Sequence, residues 1–321
     1  MNMKRFFSVD DITNLDTFIQ EAIQLKKTPL QKSELGKGKT LGLVFLNSSL
    51  RTRLSTQKAA QNLGLNTIIL NANQEAWTWE FEDGAIMNGG TVEHIKDAAQ
   101  VLSQYCDIIG IRCFAGLTNK EEDTSEKVFS LFEKYATVPV FSLESATLHP
   151  LQSLADCITI EEQKPINKKP KVVLTWAPHI KSIPHAVGNS FAQWMNKTDC
   201  EFVITHPKGY ELDPKFTQNA TIEYNQEVAL QDADFVYIKN WSSFEEYGKI
   251  PETKEDWMLT NEKLKVSNNA KIMHCLPVRR NVEVSDEVLD SQNSLIYQQA
   301  NNRTYAAQIV LQKILESNEN A

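Results

Sequence analysis

Short runs of β-branched and aliphatic residues alternate along the chain with stretches whose apolar positions recur at helical spacing and that end on Gly or Pro. That alternation predicts an α/β protein with a parallel sheet covered by helices, and it occurs twice. In the first half, strands are expected over 40–46, 67–70, 107–112 and 138–142, with helices over 52–63, closed by Gly64, and over 93–105. In the second half, strands are expected over 171–176, 201–205, 234–239 and 271–274. A helix beginning after His149-Pro150 and running towards Glu162 lies between the halves, followed by the polar, Lys/Pro-rich stretch 163–170, which reads as a surface loop. A last helix is expected over 299–316. No repeat of solenoid period and no low-complexity tract interrupts the pattern. Two domains follow, 1–147 and 148–298, each a parallel sheet flanked by helices and joined by interdomain helices, with a cleft between them. A length of 321 residues accommodates both.

Two connections are longer than their elements need: 71–92, with Trp77, Trp79 and three glycines, and 240–257, with Trp241 and acidic residues. Long loops after parallel strands are where such sheets place ligand contacts. A net charge of −8 and a pI near 5.4 argue against nucleic acid or an anionic membrane as partner, so any anion must be held by a local cluster. The five cysteines, Cys106, Cys113, Cys157, Cys200 and Cys275, form no Cys-x-x-Cys pair and read as free thiols of a reducing compartment. With no apolar run of membrane-spanning length and no leader-like start, a soluble cytoplasmic protein is expected.

The most informative stretch is Ser49-Leu50-Arg51-Thr52-Arg53, directly after a strand and directly before a helix. Free N–H groups at a helix start, two hydroxyls and a guanidinium together suit a phosphate dianion. The same strand–turn–helix also arises with polar capping residues and no ligand. There is no Gly-x-Gly-x-x-Gly and no Gly-x-x-x-x-Gly-Lys, which removes support for a nicotinamide or nucleotide triphosphate reading, and metal-ligand spacings of His or Cys are missing, so no cofactor and no metal are expected. His149-Pro150-Leu151-Gln152 stands at the junction of the halves, and His274-Cys275-Leu276-Pro277-Val278-Arg279-Arg280 follows a late strand. Taken singly, a His before Pro reads as a capping or loop residue and Cys275 as a small apolar filler.

In combination these segments resemble the aspartate/ornithine carbamoyltransferase family: Ser-x-Arg-Thr-Arg after the first strand, an Arg ending the strand at Arg112, His-Pro-x-Gln, and His-Cys-Leu-Pro, in that order from about Phe45 to Arg303. The resemblance implies a carbamoyl phosphate domain first, an amine-substrate domain second, a C-terminal helix (299–317) that packs back on the first, and homotrimers with active sites shared between subunits. Carbamoyl phosphate would be held by Ser49, Leu50, Arg51, Thr52, Pro150, Leu151 and Arg303, and by Trp77 of a neighbouring subunit. Arg112 would bridge phosphate and carbonyl oxygen, His149 donate to that oxygen, and Gln152 with the main-chain carbonyls of Cys275 and Leu276 accept from the carbamoyl NH2; Arg112, His149, Gln152 and Cys275 are thus the catalytic set. A ligand-sensing paralogue would be expected to lack one of Arg51, Arg112, His149 or Gln152, and all are present; an oxidoreductase lacks its glycine fingerprint here.

Within the family, Lys239-Asn240-Trp241, Trp176-Ala177-Pro178-His179 and Arg279-Arg280-Asn281 resemble the branch that carbamoylates N-acylated ornithine in arginine biosynthesis. There Lys239 would pair with the amine's α-carboxylate, Glu144 would accept from its nitrogen groups, and His179 with Arg279 would meet the acyl end. Acetyl-specific members place a Glu just ahead of the Glu93-His94 pair and succinyl-specific members a Pro, whereas this chain has Val92. A succinyl group brings an extra carboxylate that a protein carboxylate would repel and a compact apolar residue would not, so the succinyl amine is favoured over the acetyl one.

Overall fold

The computed structural model describes residues 3–253 and 255–319. Its strands, in chain order, are β1 (Arg5–Phe6), β2 (Thr40–Phe45), β3 (Asn66–Asn71), β4 (Trp79–Glu80), β5 (Glu93–His94), β6 (Ile108–Arg112), β7 (Val140–Glu144), β8 (Lys171–Trp176), β9 (Glu201–Thr205), β10 (Thr221–Glu223), β11 (Phe235–Lys239) and β12 (Lys271–Met273). Two five-stranded sheets form, ordered β1-β7-β6-β2-β3 and β10-β9-β8-β11-β12. Every pairing within them is parallel, with helical crossovers between strands. The expected eight strands are all present to within two residues at each end. β1 and β10, two and three residues long, were not expected, because edge strands this short carry no readable alternation.

Helix Arg51–Asn62 follows β2 and ends where Gly64 takes φ +79°; a Cβ there would stand 2.0 Å from the Ser33 carbonyl oxygen. The helix expected from Glu93 begins at Ile95 instead, because Glu93 and His94 pair with Trp79 and Glu80 while His94 Nδ1 accepts the Lys96 N–H at 3.1 Å. The final helix begins at Ile296 rather than Gln299. Helix Ala186–Met195 was not anticipated: nine of its ten residues are buried, which erases the polar face that marks a helix in sequence.

Helix Pro150–Gln163 joins the two sheets and is buried from Pro150 through Ile160. One apolar core runs through it, from Leu41 and Phe141 under the first sheet past Leu154 and Ile158 to Leu174 and Phe191 under the second. The C-terminal helix, Ile296–Glu319, lies against Pro150–Gln163 and Arg51–Asn62 and bonds to the latter through Asn62 Nδ2, which donates to Gln308 Oε1 at 2.8 Å. No helix among the described residues is long and apolar enough to cross a membrane.

Candidate active site

The C-terminal ends of β2, β6, β7, β8, β11 and β12 converge on one pocket between the two sheets. Past β2, Ser49 Oγ accepts the Thr52 N–H at 3.3 Å, which turns the chain into helix Arg51–Asn62 and leaves its first N–H groups at the pocket. Thr52 Oγ1 in turn accepts from Arg112 Nη1 at 3.0 Å and from Arg303 Nη2 at 2.6 Å. A register shift between Ile111 and Arg112 sets Arg112 opposite Glu144, and the two side chains pair, Nη1 to Oε2, at 2.5 Å. The Phe114 ring lies 4.4 Å from the Arg112 guanidinium carbon.

His149 stands immediately before helix Pro150–Gln163, with Nε2 3.2 Å from Glu144 Oε2 and 3.4 Å from Arg303 Nη2. Burial first, then the charges of Arg303 and Arg112, holds this imidazole well below its ordinary range, so it is neutral. Gln152, one turn on, accepts from Arg303 Nη1 at 2.7 Å and donates to Asp156 Oδ1 at 2.8 Å. Burial and then the Arg112 charge push the Arg303 guanidinium down to about 10. Burial raises the Glu144 carboxyl against the pull of Arg112, Arg303 and Lys239. Arg112 Nε, Arg303 Nε and His149 Nδ1 are buried with no hydrogen-bond partner among the described residues. Native proteins rarely strand buried donors, and a cluster of them beside four cationic side chains, Arg51, Arg112, Lys239 and Arg303, is the chemistry of an anion site.

From the second sheet, Lys239 ends β11 and donates from Nζ to Asn240 Oδ1 at 2.8 Å. Past β12, His274 Nδ1 accepts the Leu276 N–H at 2.9 Å while its Nε2 donates to Glu283 Oε2 at 2.9 Å, which fixes the Cys275-Leu276 turn at the pocket wall. Burial raises the Cys275 thiol, so it is protonated and not a thiolate nucleophile. At the rim, Arg279 Nε donates to His179 Nε2 at 3.0 Å, and His179 Nδ1 donates to the Lys181 carbonyl at 2.9 Å. Among the described residues Arg279 pairs with no carboxylate, unlike Arg280, which binds Asp286 and Asp290.

Ser49, Arg51, Thr52, Arg112, Glu144, His149, Gln152, His179, Lys239, Cys275, Leu276 and Arg303 thus line one pocket. Six expected residues do not. Leu50 is 66% exposed at the helix start, Leu151 is buried in the core, Pro150 opens its helix, and Arg279 reaches the lining only through His179. Trp77 and Val92, 66% and 59% exposed, stand on the 71–92 connection away from this chain's own pocket. Phe114 and the wall of Ile183, Pro184 and Val187 line it without having been expected, since apolar loop residues carry no chemical signal in sequence, and Asn240 lines it beside Lys239 although only its motif had been noted. Among the described residues no group of three His, Cys, Asp or Glu is placed to hold a metal ion.

Residues 4–162 match the aspartate/ornithine carbamoyltransferase carbamoyl-P binding domain, and residues 184–314 match the Asp/Orn binding domain of the same family. The chain belongs to the aspartate/ornithine carbamoyltransferase family. It is 52% identical to an N-succinylornithine carbamoyltransferase of Bacteroides fragilis over 98% of this chain and 99% of that one. It is 33% identical to an N-acetylornithine carbamoyltransferase of Xanthomonas campestris pv. campestris over 97% of each. Among solved structures, a glutamate-to-valine variant of N-acetyl-L-ornithine transcarbamylase complexed with carbamyl phosphate and N-succinyl-L-norvaline superposes with a TM-score of 0.90, at 31% identity over 96% of this chain and 98% of that chain. The pocket takes residues from both matched ranges, from Ser49 to Gln152 in the first and from Pro184 to Arg303 in the second.

Proposed function

We propose that this protein transfers the carbamoyl group of carbamoyl phosphate to the δ-amine of N-succinyl-L-ornithine, giving N-succinyl-L-citrulline and phosphate in arginine biosynthesis. The observation that carries the choice of amine is the 52% identity over nearly the whole of both chains to an N-succinylornithine enzyme, against 33% to an N-acetylornithine one. Val92 supports it: a neutral, compact side chain stands ahead of Glu93-His94, where the resemblance puts the acetyl members' glutamate.

Carbamoyl phosphate brings about two negative charges, and attack by the amine adds an oxyanion on the carbamoyl carbon. The phosphate sits on the first N–H groups of helix Arg51–Asn62, between Ser49, Arg51, Thr52 and Arg303. Arg112 spans the phosphate and the carbonyl oxygen. Neutral His149 donates to that oxygen from a ring N–H, a task its depressed basicity suits because no proton is transferred. Gln152 Oε1 and the carbonyls of Cys275 and Leu276 accept from the carbamoyl NH2. The amine enters as the free base, with Lys239 on its α-carboxylate, Glu144 on its nitrogen groups and the Arg279–His179 pair on the succinyl carboxylate. Positioning and a cationic cavity account for the rate without a covalent intermediate.

The pocket is completed in a cytoplasmic homotrimer, in which an adjacent subunit supplies Trp77 to the phosphate and Val92 to the acyl group. The chain divides at residues 147 and 148 into a carbamoyl phosphate half and an acylornithine half. Initial rates of ureido product from carbamoyl phosphate with ornithine, N-acetylornithine, N-succinylornithine and aspartate test the reading. N-succinylornithine is expected to react fastest, and a clear preference for the acetyl amine overturns the choice.

A further inference from the structure

Behind the pocket wall, two helices each present a polar pair spaced by one turn: Gln152 and Asp156 on Pro150–Gln163, Gln299 and Arg303 on Ile296–Glu319. The four side chains are joined by hydrogen bonds. Gln152 Nε2 and Gln299 Nε2 both donate to Asp156 Oδ1, at 2.8 and 2.7 Å, and Arg303 Nη1 donates to Gln152 Oε1 at 2.7 Å. Gln299 Oε1 accepts the His274 N–H at 2.9 Å, and His274 Nδ1 accepts the Leu276 N–H. Asp156, Gln152 and Gln299 are all fully buried, so their bonds have no competition from water.

We infer that Asp156 is a positioning residue that arranges the acceptors of the carbamoyl NH2 on both walls of the pocket, through Gln152 on one side and through Gln299 and His274 on the other. A carboxamide carries a donor and an acceptor on one planar group, and which end faces the substrate is decided by what holds the other end. Asp156 Oδ1 accepts only, so both glutamines turn their NH2 groups toward it. The oxygen of Gln152 then faces Arg303 and the pocket, and the oxygen of Gln299 faces the backbone that carries Cys275 and Leu276. Without that acceptor, Gln152 is held at its oxygen alone, and the link from Gln299 to the Cys275-Leu276 turn loses its anchor. Asp156 itself does not line the pocket.

The inference rests on the proposed carbamoyl transfer, and the experiment separates the two. Acetyl phosphate has a methyl group where carbamoyl phosphate has NH2, so the ratio of the two affinities, measured by calorimetry on the full chain, reads the NH2 acceptors alone. The wild-type protein should form ureido product and bind carbamoyl phosphate the more tightly. Asp156→Leu should lower the affinity ratio about tenfold, while Asp156→Asn, which keeps an acceptor oxygen at Oδ1, should stay within about threefold of wild type. Gln299→Leu, which cuts one arm, should lower the ratio by a smaller factor, and it decides alone should Asp156→Leu not fold. Equal losses of affinity for both phosphates in the folded variants mean that Asp156 and Gln299 serve packing only, which overturns the inference while carbamoyl transfer stands. A wild-type protein without product and without preference for carbamoyl phosphate overturns both.

Discussion

At the scale of single residues, the pocket is a balance of buried cations against few anions. Arg112 is 7% exposed and its guanidinium is shared among Thr52, Glu144 and the Phe114 face, which leaves Nε without a partner among the described residues. An arginine held this way cannot swing to water, so under the proposed reaction its donors are aimed before the dianion arrives and little reorganisation is left for the transition state. Under the proposed reaction Arg112 meets both the phosphate and the developing oxyanion, so for Arg112→Ala kcat is expected to fall by about a thousandfold or more. Steady-state rates at saturating substrates check this, with circular dichroism to establish folding, because Glu144 loses its closest cation in the variant. Near-normal turnover would take Arg112 out of the chemistry.

At the scale of elements, the connection 240–257 lies across to the first half of the chain. Lys120 Nζ donates to the Phe244 carbonyl at 2.9 Å and stands 3.7 Å over the Phe244 ring, and Tyr247 Oη donates to Asp123 Oδ2 at 2.8 Å. Beneath it His185 Nε2 donates to the Ser242 carbonyl at 2.7 Å and stacks on Tyr247. These bonds hold the chain that continues from Lys239 and Asn240 in the pocket. The closest approach is at Gly248, where φ is +74° and a Cβ would stand 2.3 Å from the Leu117 carbonyl oxygen. Gly248→Ala therefore forces the two backbones apart as well as straining its own, and a loss of about 1–3 kcal/mol in urea unfolding is expected. The same variant should raise KM for the amine, since Lys239 and Asn240 follow the displaced loop. Wild-type stability together with wild-type KM would show that this contact constrains nothing.

At the scale of the whole molecule, the 71–92 connection is the feature that one chain leaves unexplained. Trp77, Ile86 and Val92 are 66%, 84% and 59% exposed on it, an apolar set that a solitary surface would not favour. Under the proposed trimer those residues serve the adjacent pocket, so Trp77→Ala and Arg112→Ala damage different halves of one site. Each variant alone should be nearly inactive. After the two are mixed, dissociated and reassembled, about one quarter of the sites should contain neither substitution, and activity should return in proportion. A mixture that stays as inactive as its components would mean that each chain builds its site alone.

Local chemistry was legible before the fold. The strands at 171–176 and 201–205 match residue for residue, because a buried parallel strand is an apolar run bounded by breakers; Ser49, Arg51, Thr52, Arg112, His149 and Gln152 stand in short motifs, Arg303 followed from the family resemblance alone, and all seven line one pocket. Position along the chain says which groups are present. It does not say which end of Gln152 faces the cavity, that a register shift sets Arg112 against Glu144, or that Leu151 packs in the apolar core while Gln152 beside it lines the pocket. Helix Ala186–Met195 escaped because burial on all sides removes the periodicity that reveals a helix, and Asp156 because its partner Gln299 stands on a helix more than a hundred residues away. The amino-acid order by itself determined eight of the ten strands of the two sheets to within two residues and, through motifs that resemble one family, which residues could hold an anion, since both are written in short stretches of chain. The tertiary structure alone decided the orientation of the amides, the neutral state of His149 and the meeting of the two walls, since those depend on burial and on charges that only packing brings together.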